Sequence, residues 1–119
     1  KGTERQVKFA QDILNKINEV VSVEKVVEEI KAEIMNSERL NDEKKARKME
    51  KLNEAIQDAG FIINGLKDYF YELKNSAKAT EKLGKDYAIY RVAAGLTDHP
   101  SFAKYANMVA RKHHKQVKF

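Results

Sequence analysis

Apolar residues recur through the first third of the chain at Phe9, Ile13, Ile17, Val20, Val23, Val27, Ile30 and Ile34. Their average step is about 3.6 residues, the period of an α-helix. Thr3-Glu4-Arg5-Gln6 opens this stretch as a capping box, with Thr3 accepting from the backbone of the third helical residue and Gln6 reaching back. The spacing predicts one helix over about 4–35. Its weak point is Val20-Val21-Ser22-Val23, where β-branched residues cluster and Ser22 is able to cap a second helix. The uninterrupted period favours continuity.

Residues 36–41 lose the period and read as a turn. A second stripe then runs through Met49, Leu52, Ile56, Ala59, Ile63, Leu66, Phe70, Leu73 and Ala77, alternating steps of three and four. Such a heptad seam is the pattern of helices packed at a shallow crossing angle. Gly60 and Gly65 each cost about 1 kcal/mol relative to Ala inside a helix. Because the seam keeps phase through both, it predicts an unbroken helix over about 42–78. With the helix before it, this makes a long antiparallel hairpin. Two shorter helices follow. One covers about 86–96, with apolar residues on most of its surface; the other covers about 100–116, with Pro100 in its first turn. The expected fold is all-α, a single helical-bundle domain over 1–119, in keeping with the chain length and with one proline and five glycines.

The net charge of +5 is unevenly spread. Residues 1–43 carry 7 Lys or Arg against 10 Asp or Glu, and residues 44–119 carry 16 against 8. In an antiparallel hairpin, Glu24, Glu28, Glu29, Glu33 and Glu38 would stand beside Lys44, Lys45, Arg47, Lys48 and Lys51, so that much of the lysine cluster would face acidic neighbours. The C-terminal stripe lacks such partners, since no acid follows Asp98. Lys104, Arg111, Lys112, Lys115 and Lys118 are therefore the candidate polyanion-binding residues. Tyr71, off the seam, is a candidate stacking residue beside them. The 7, 4 and 3 spacings of Lys104, Arg111, Lys115 and Lys118 put these four on one helical face.

Catalytic and metal chemistry find little support. There is no cysteine, which removes thiolate nucleophiles, thiolate zinc sites and disulfides. Gly60-Phe61-Ile62-Ile63-Asn64-Gly65-Leu66-Lys67 approaches a phosphate loop, but its Lys is one place late and Asp68 stands where Ser or Thr is needed. Glu24 with Glu28, and Glu29 with Glu33, lie one turn apart without the Glu-x-x-His pairs of di-iron bundles. His113 and His114 point about 100° apart and do not converge on one ion; His113 reads as a half-buried imidazole near a helix C-terminus. No apolar run suffices to cross a bilayer. The expectations are a non-enzymatic, cytoplasmic chain with no cofactor, metal, small-molecule substrate or membrane association.

Thr3-Glu4-Arg5-Gln6-Val7-Lys8-Phe9-Ala10-Gln11-Asp12-Ile13 resembles a segment found in small accessory proteins of phages, plasmids and conjugative elements of Gram-positive bacteria, which opens a helix with Thr or Ser, a basic residue, Gln, an aromatic and Ala. The resemblance implies a mobile-element protein that binds nucleic acid or a host or element-encoded protein, and it transfers no site residues. Two readings follow. The first is a helical interaction protein, an adaptor, inhibitor or assembly subunit acting through a helix face on a protein partner or a second copy. The alternative is a nucleic-acid-binding protein using the basic C-terminal helix.

Overall fold

The computed structural model describes residues 2–119 and builds them almost wholly from seven α-helices: α1 (Glu4–Asn18), α2 (Val23–Met35), α3 (Asp42–Ala55), α4 (Ala59–Asn75), α5 (Lys78–Leu83), α6 (Lys85–Gly95) and α7 (Ala103–Gln116). No strand occurs among the described residues. α1 packs along α4, and α6 along α7. α2 lies against α7 and α6 and meets α3 near its own C-terminus. The result is a slab of 43 × 39 × 18 Å, two helix layers at about 10 Å per helix. Ile13, Ile17, Ile30, Ile34, Leu66 and Val92 lie fully buried in its core.

The first long helix is two helices. α1 opens with the expected capping box, the Thr3 hydroxyl and the Gln6 side chain each accepting from the other residue's backbone N–H. It stops at Asn18, whose side-chain oxygen accepts from the Val23 amide at 2.9 Å. Ser22 Oγ then caps α2 by accepting from the Lys25 amide at 3.2 Å. Side-chain acceptors here offer the backbone a substitute for the helical ladder. The periodicity shifts with it. Val20, on the expected stripe, is turned outward, and Val21 enters the core instead.

The second long helix is also broken, so the long hairpin is replaced by shorter paired helices. α3 ends at Ala55, and Ile56, Gln57 and Asp58 make turn hydrogen bonds back to Leu52, Glu54 and Ala55. Asp58 caps α4, its carboxylate accepting from the Gly60 amide at 3.2 Å. Gly60 and Gly65 are both helical, as the seam predicted, but the break lies just upstream, at a short polar cap that apolar spacing does not register. The core also takes Ile62 where the seam named Ile63.

The turn at 36–41 falls as expected, with Asn41 capping α3. α5, falling between the second and third expected helices, is a six-residue helix. Gly84 joins it to α6 at φ 83°, a backbone conformation costly for residues with a Cβ. α7 begins three residues later than expected. Pro100 sits in a turn, where the Ser101 amide donates to His99 Nδ1 and the His99 ring stacks on Phe102 at 4.9 Å.

α4 and α6 cross at Gly65 and Gly95. A Cβ on Gly65 would lie 1.9 Å from the Gly95 carbonyl oxygen, and one on Gly95 would lie 2.4 Å from that of Gly65. The absence of side chains is what lets these two backbones touch.

Candidate polyanion-binding surface

α7 buries Tyr105, Ala106, Val109 and Ala110 against α6 and α2. Its other side carries Lys104, Arg111, Lys112 and Lys115, all exposed. At 100° per residue Lys104, Arg111 and Lys115 fall within about 40° of arc, over a rise of about 16 Å. Exposed Met108 lies between them, and no acidic residue occurs on the helix. Lys118 is also exposed but lies past the helix end. Val117 is extended at φ −72°, ψ 132° and buries its own side chain, so the expected helical alignment of Lys118 with the other three is lost. Tyr71 belongs elsewhere: its ring, 46% exposed, rests against Phe9 and Phe70 on the α1–α4 pair.

The lysines of α3 are not neutralised by α2 as the hairpin implied. Among the described residues, no ion pair joins Glu24, Glu28, Glu29, Glu33 or Glu38 to Lys44, Lys45, Arg47, Lys48 or Lys51. With the helices shortened, α3 meets only the end of α2, and there Lys45 donates to the Met35 carbonyl at 2.7 Å, a favourable place for a cation. Arg47 pairs with Glu43 and Lys51 with Glu54, each on its own helix. Lys48 donates to the Ser101 carbonyl at 2.8 Å, and its ammonium stands 6.0 Å from the centre of the Tyr105 ring. Lys104 stands 5.9 Å from the same ring. Tyr105 thus joins the basic side of α3 to the start of the basic face of α7.

Beneath that face, His113 is held on both edges. Nδ1 lies 2.7 Å from Asp86 Oδ1, and Nε2 lies 3.0 Å from both carboxylate oxygens of Glu29. Burial works against the charged ring, but the hydrogen bonds to Asp86 and Glu29, with the charges of both carboxylates, outweigh it and hold the pKa above the ordinary 6.5. When protonated, the ring donates on both edges and ties α7 to α2 and α6. The two carboxylates occupy opposite edges of the ring and do not converge on a common point. Among the described residues, no cluster of His, Asp and Glu is arranged to hold a metal ion.

A second network braces α4, α5 and α6. Tyr87 donates to Glu72 at 2.8 Å, Arg91 bonds both Glu72 and the Tyr87 hydroxyl, and the guanidinium lies 4.9 Å from the centre of the Tyr69 ring. The Tyr69 hydroxyl shares a 2.7 Å hydrogen bond with Thr80. Burial pushes the Tyr69 and Tyr87 phenols up from their usual range, and hydrogen bonding to Glu72 and Tyr87 raises Arg91 against its own desolvation. Phenols held protonated beside a paired Arg are suited to support rather than proton transfer. Apolar spacing carries no sign of either network, because each joins polar residues from separate helices.

No described helix is long and apolar enough to cross a membrane. No family model, curated protein or solved structure matches the chain.

Proposed function

We propose that this chain is a non-enzymatic helical binding protein whose ligand is a nucleic-acid backbone, gripped through Lys104, Arg111, Lys112 and Lys115 on α7 with Lys118 in the tail. The observation that carries this reading is the exposed, acid-free face of α7. The loss of the cross-hairpin pairing adds to it, because Lys44, Lys45 and Lys48 have no carboxylate partner among the described residues. Contacts of this kind go to phosphates, so recognition is electrostatic and tolerant of sequence. A mobile-element accessory role accords with such a ligand.

The test is fluorescence anisotropy with a labelled duplex and a labelled single strand at two salt concentrations. The wild type is expected to bind at low salt and to weaken steeply as salt rises. Changing Lys104, Arg111, Lys112 and Lys115 to Gln removes up to four phosphate contacts. It should lower the slope of log affinity against log salt by about 0.9 per lost duplex contact. The fold is expected to persist, since these side chains face solvent. Absence of wild-type binding at low salt overturns the reading.

A second reading, a protein-interaction module, is favoured by a cleft of about 380 Å³ between α1, α2 and the start of α4. Leu14, Val27, Ile56 and Ile62 line it beside two acids, Glu24 and Glu28, and one base, Lys31. An amphipathic helix with apolar and basic residues would complement it.

A further inference from the structure

A cleft of about 310 Å³ opens between α3 and the turn before α7, and the residues lining it are Leu40, Lys44, Arg47, Lys48, Lys51 and Ser101. Four are cationic and none is acidic. Lys44, Arg47, Lys48 and Lys51 fall at i, i+3, i+4 and i+7, so one face of α3 directs all four to the same side. We propose that this cleft is a phosphate-binding site, and that it continues the α7 track by seating one phosphate of the same nucleic-acid strand on α3. The continuation rests on the function proposed above; the site itself rests on the cleft.

Three observations support it. Lys48 is already positioned by its bond to the Ser101 carbonyl, which leaves the ammonium two further N–H groups to donate. Lys44 has no ion-pair partner among the described residues. The pairs Arg47–Glu43 and Lys51–Glu54 are exposed, with side chains 45–80% accessible; such pairs hold their partners weakly, so both cations are available to a stronger anion. Arg47 offers the planar fork that matches two phosphate oxygens. At about 310 Å³ the cleft reaches the lower end of ligand-site volumes, enough for a phosphate with the sugar attached to it. Lys48 and Lys104 flank Tyr105, which fixes the route from the cleft to α7.

The phosphate could belong to a nucleic-acid strand or to a small phosphorylated compound, and the experiment separates the two. Pyrophosphate, adenosine monophosphate and a 15-nucleotide single strand are titrated into isotope-labelled protein while backbone amide NMR shifts are followed. The variants are Lys44→Gln/Arg47→Gln/Lys51→Gln and the charge-preserving Lys44→Arg/Lys51→Arg. Lys48 is left intact because it also supports the Ser101 turn. The proposal expects all three ligands to shift amides of α3 and of Ser101 and Phe102, and expects only the strand to extend the shifts along α7. The Gln variant should bind the strand about tenfold more weakly at low salt and with a shallower salt slope, while the Arg variant should bind like wild type. If pyrophosphate shifts α3 while the strand does not bind, the cleft stands as a small-phosphate site and the nucleic-acid reading falls. If the strand binds α7 and the Gln variant matches wild type, the cleft proposal is overturned and the nucleic-acid reading survives. No shift at α3 with any ligand also overturns it.

Discussion

Replacing Gly65 and Gly60 by Ala should change stability in opposite directions, although both glycines lie in α4. At Gly65 the new methyl would start 1.9 Å from the Gly95 carbonyl oxygen. An ordinary C···O contact is about 3.3–3.6 Å, so α4 and α6 must separate by roughly 1.4 Å or more along that line. The obstruction is backbone, which cannot rotate away as a side-chain tip can. Leu66, Val92 and Leu96 are fully buried around the crossing, and parting the helices would loosen their packing. Overpacking of this kind costs about 1–3 kcal/mol and sometimes more. The better helix propensity of Ala returns about 1 kcal/mol; because the obstruction is rigid backbone, the cost should fall in the upper part of the range, for a net loss of up to about 2 kcal/mol or more. At Gly60 the nearest atom to the new methyl is Asp58 Oδ1 at 3.7 Å, an ordinary contact. There the propensity gain stands nearly alone, for a stabilisation of about 0.4–1 kcal/mol. Urea denaturation of the three proteins, followed by circular dichroism, reads both effects as midpoint shifts. A Gly65→Ala midpoint at or above that of wild type would refute the close crossing of α4 and α6.

Two further predictions concern the helix junctions. Because the folded His113 pKa is raised above 6.5, its clamp contributes fully below the unfolded pKa of about 6.5, and that contribution disappears as pH rises through the folded value. The stability advantage of wild type over His113→Gln should therefore shrink as pH rises above about 6.5 in thermal melts; a constant difference would show that the ring is not held as an imidazolium. Ser22→Ala removes the acceptor for the Lys25 amide and should cost about 0.5–2 kcal/mol. A denaturation midpoint equal to wild type would mean that Asn18 alone secures the α1–α2 junction.

Much of the candidate surface was legible because it depends on one helix. The acid-free run after Asp98 and the face holding Lys104, Arg111 and Lys115 are properties of local sequence and helical period, and they reappear as an exposed face on α7. Lys118 departs from that face because Val117 leaves the helix to bury itself, a choice made by the core rather than by the period. The α3 cleft was read as a self-neutralised hairpin face. That inference needed α3 to run alongside α2, whereas α3 reaches α2 at its C-terminal end, where Lys45 donates to the Met35 carbonyl.

The sequence by itself determined that the chain is helical, where α1 begins, that a turn separates α2 from α3, and that Gly60 and Gly65 lie inside a helix. Each follows from propensity, capping chemistry or a period of 3.6, all set within a few residues. Tertiary structure alone decided the rest. Apolar spacing can keep its phase across a break, so the stripe through Ile56 and Ala59 does not reveal that α3 and α4 are separate helices. In the folded chain α1 pairs with α4 rather than lying in a continuous hairpin, Gly65 meets Gly95, and His113 reaches Asp86 and Glu29 across long stretches of chain. Contacts between residues so distant depend on which helices end up side by side, and that is settled by burying the apolar faces together rather than by any local pattern.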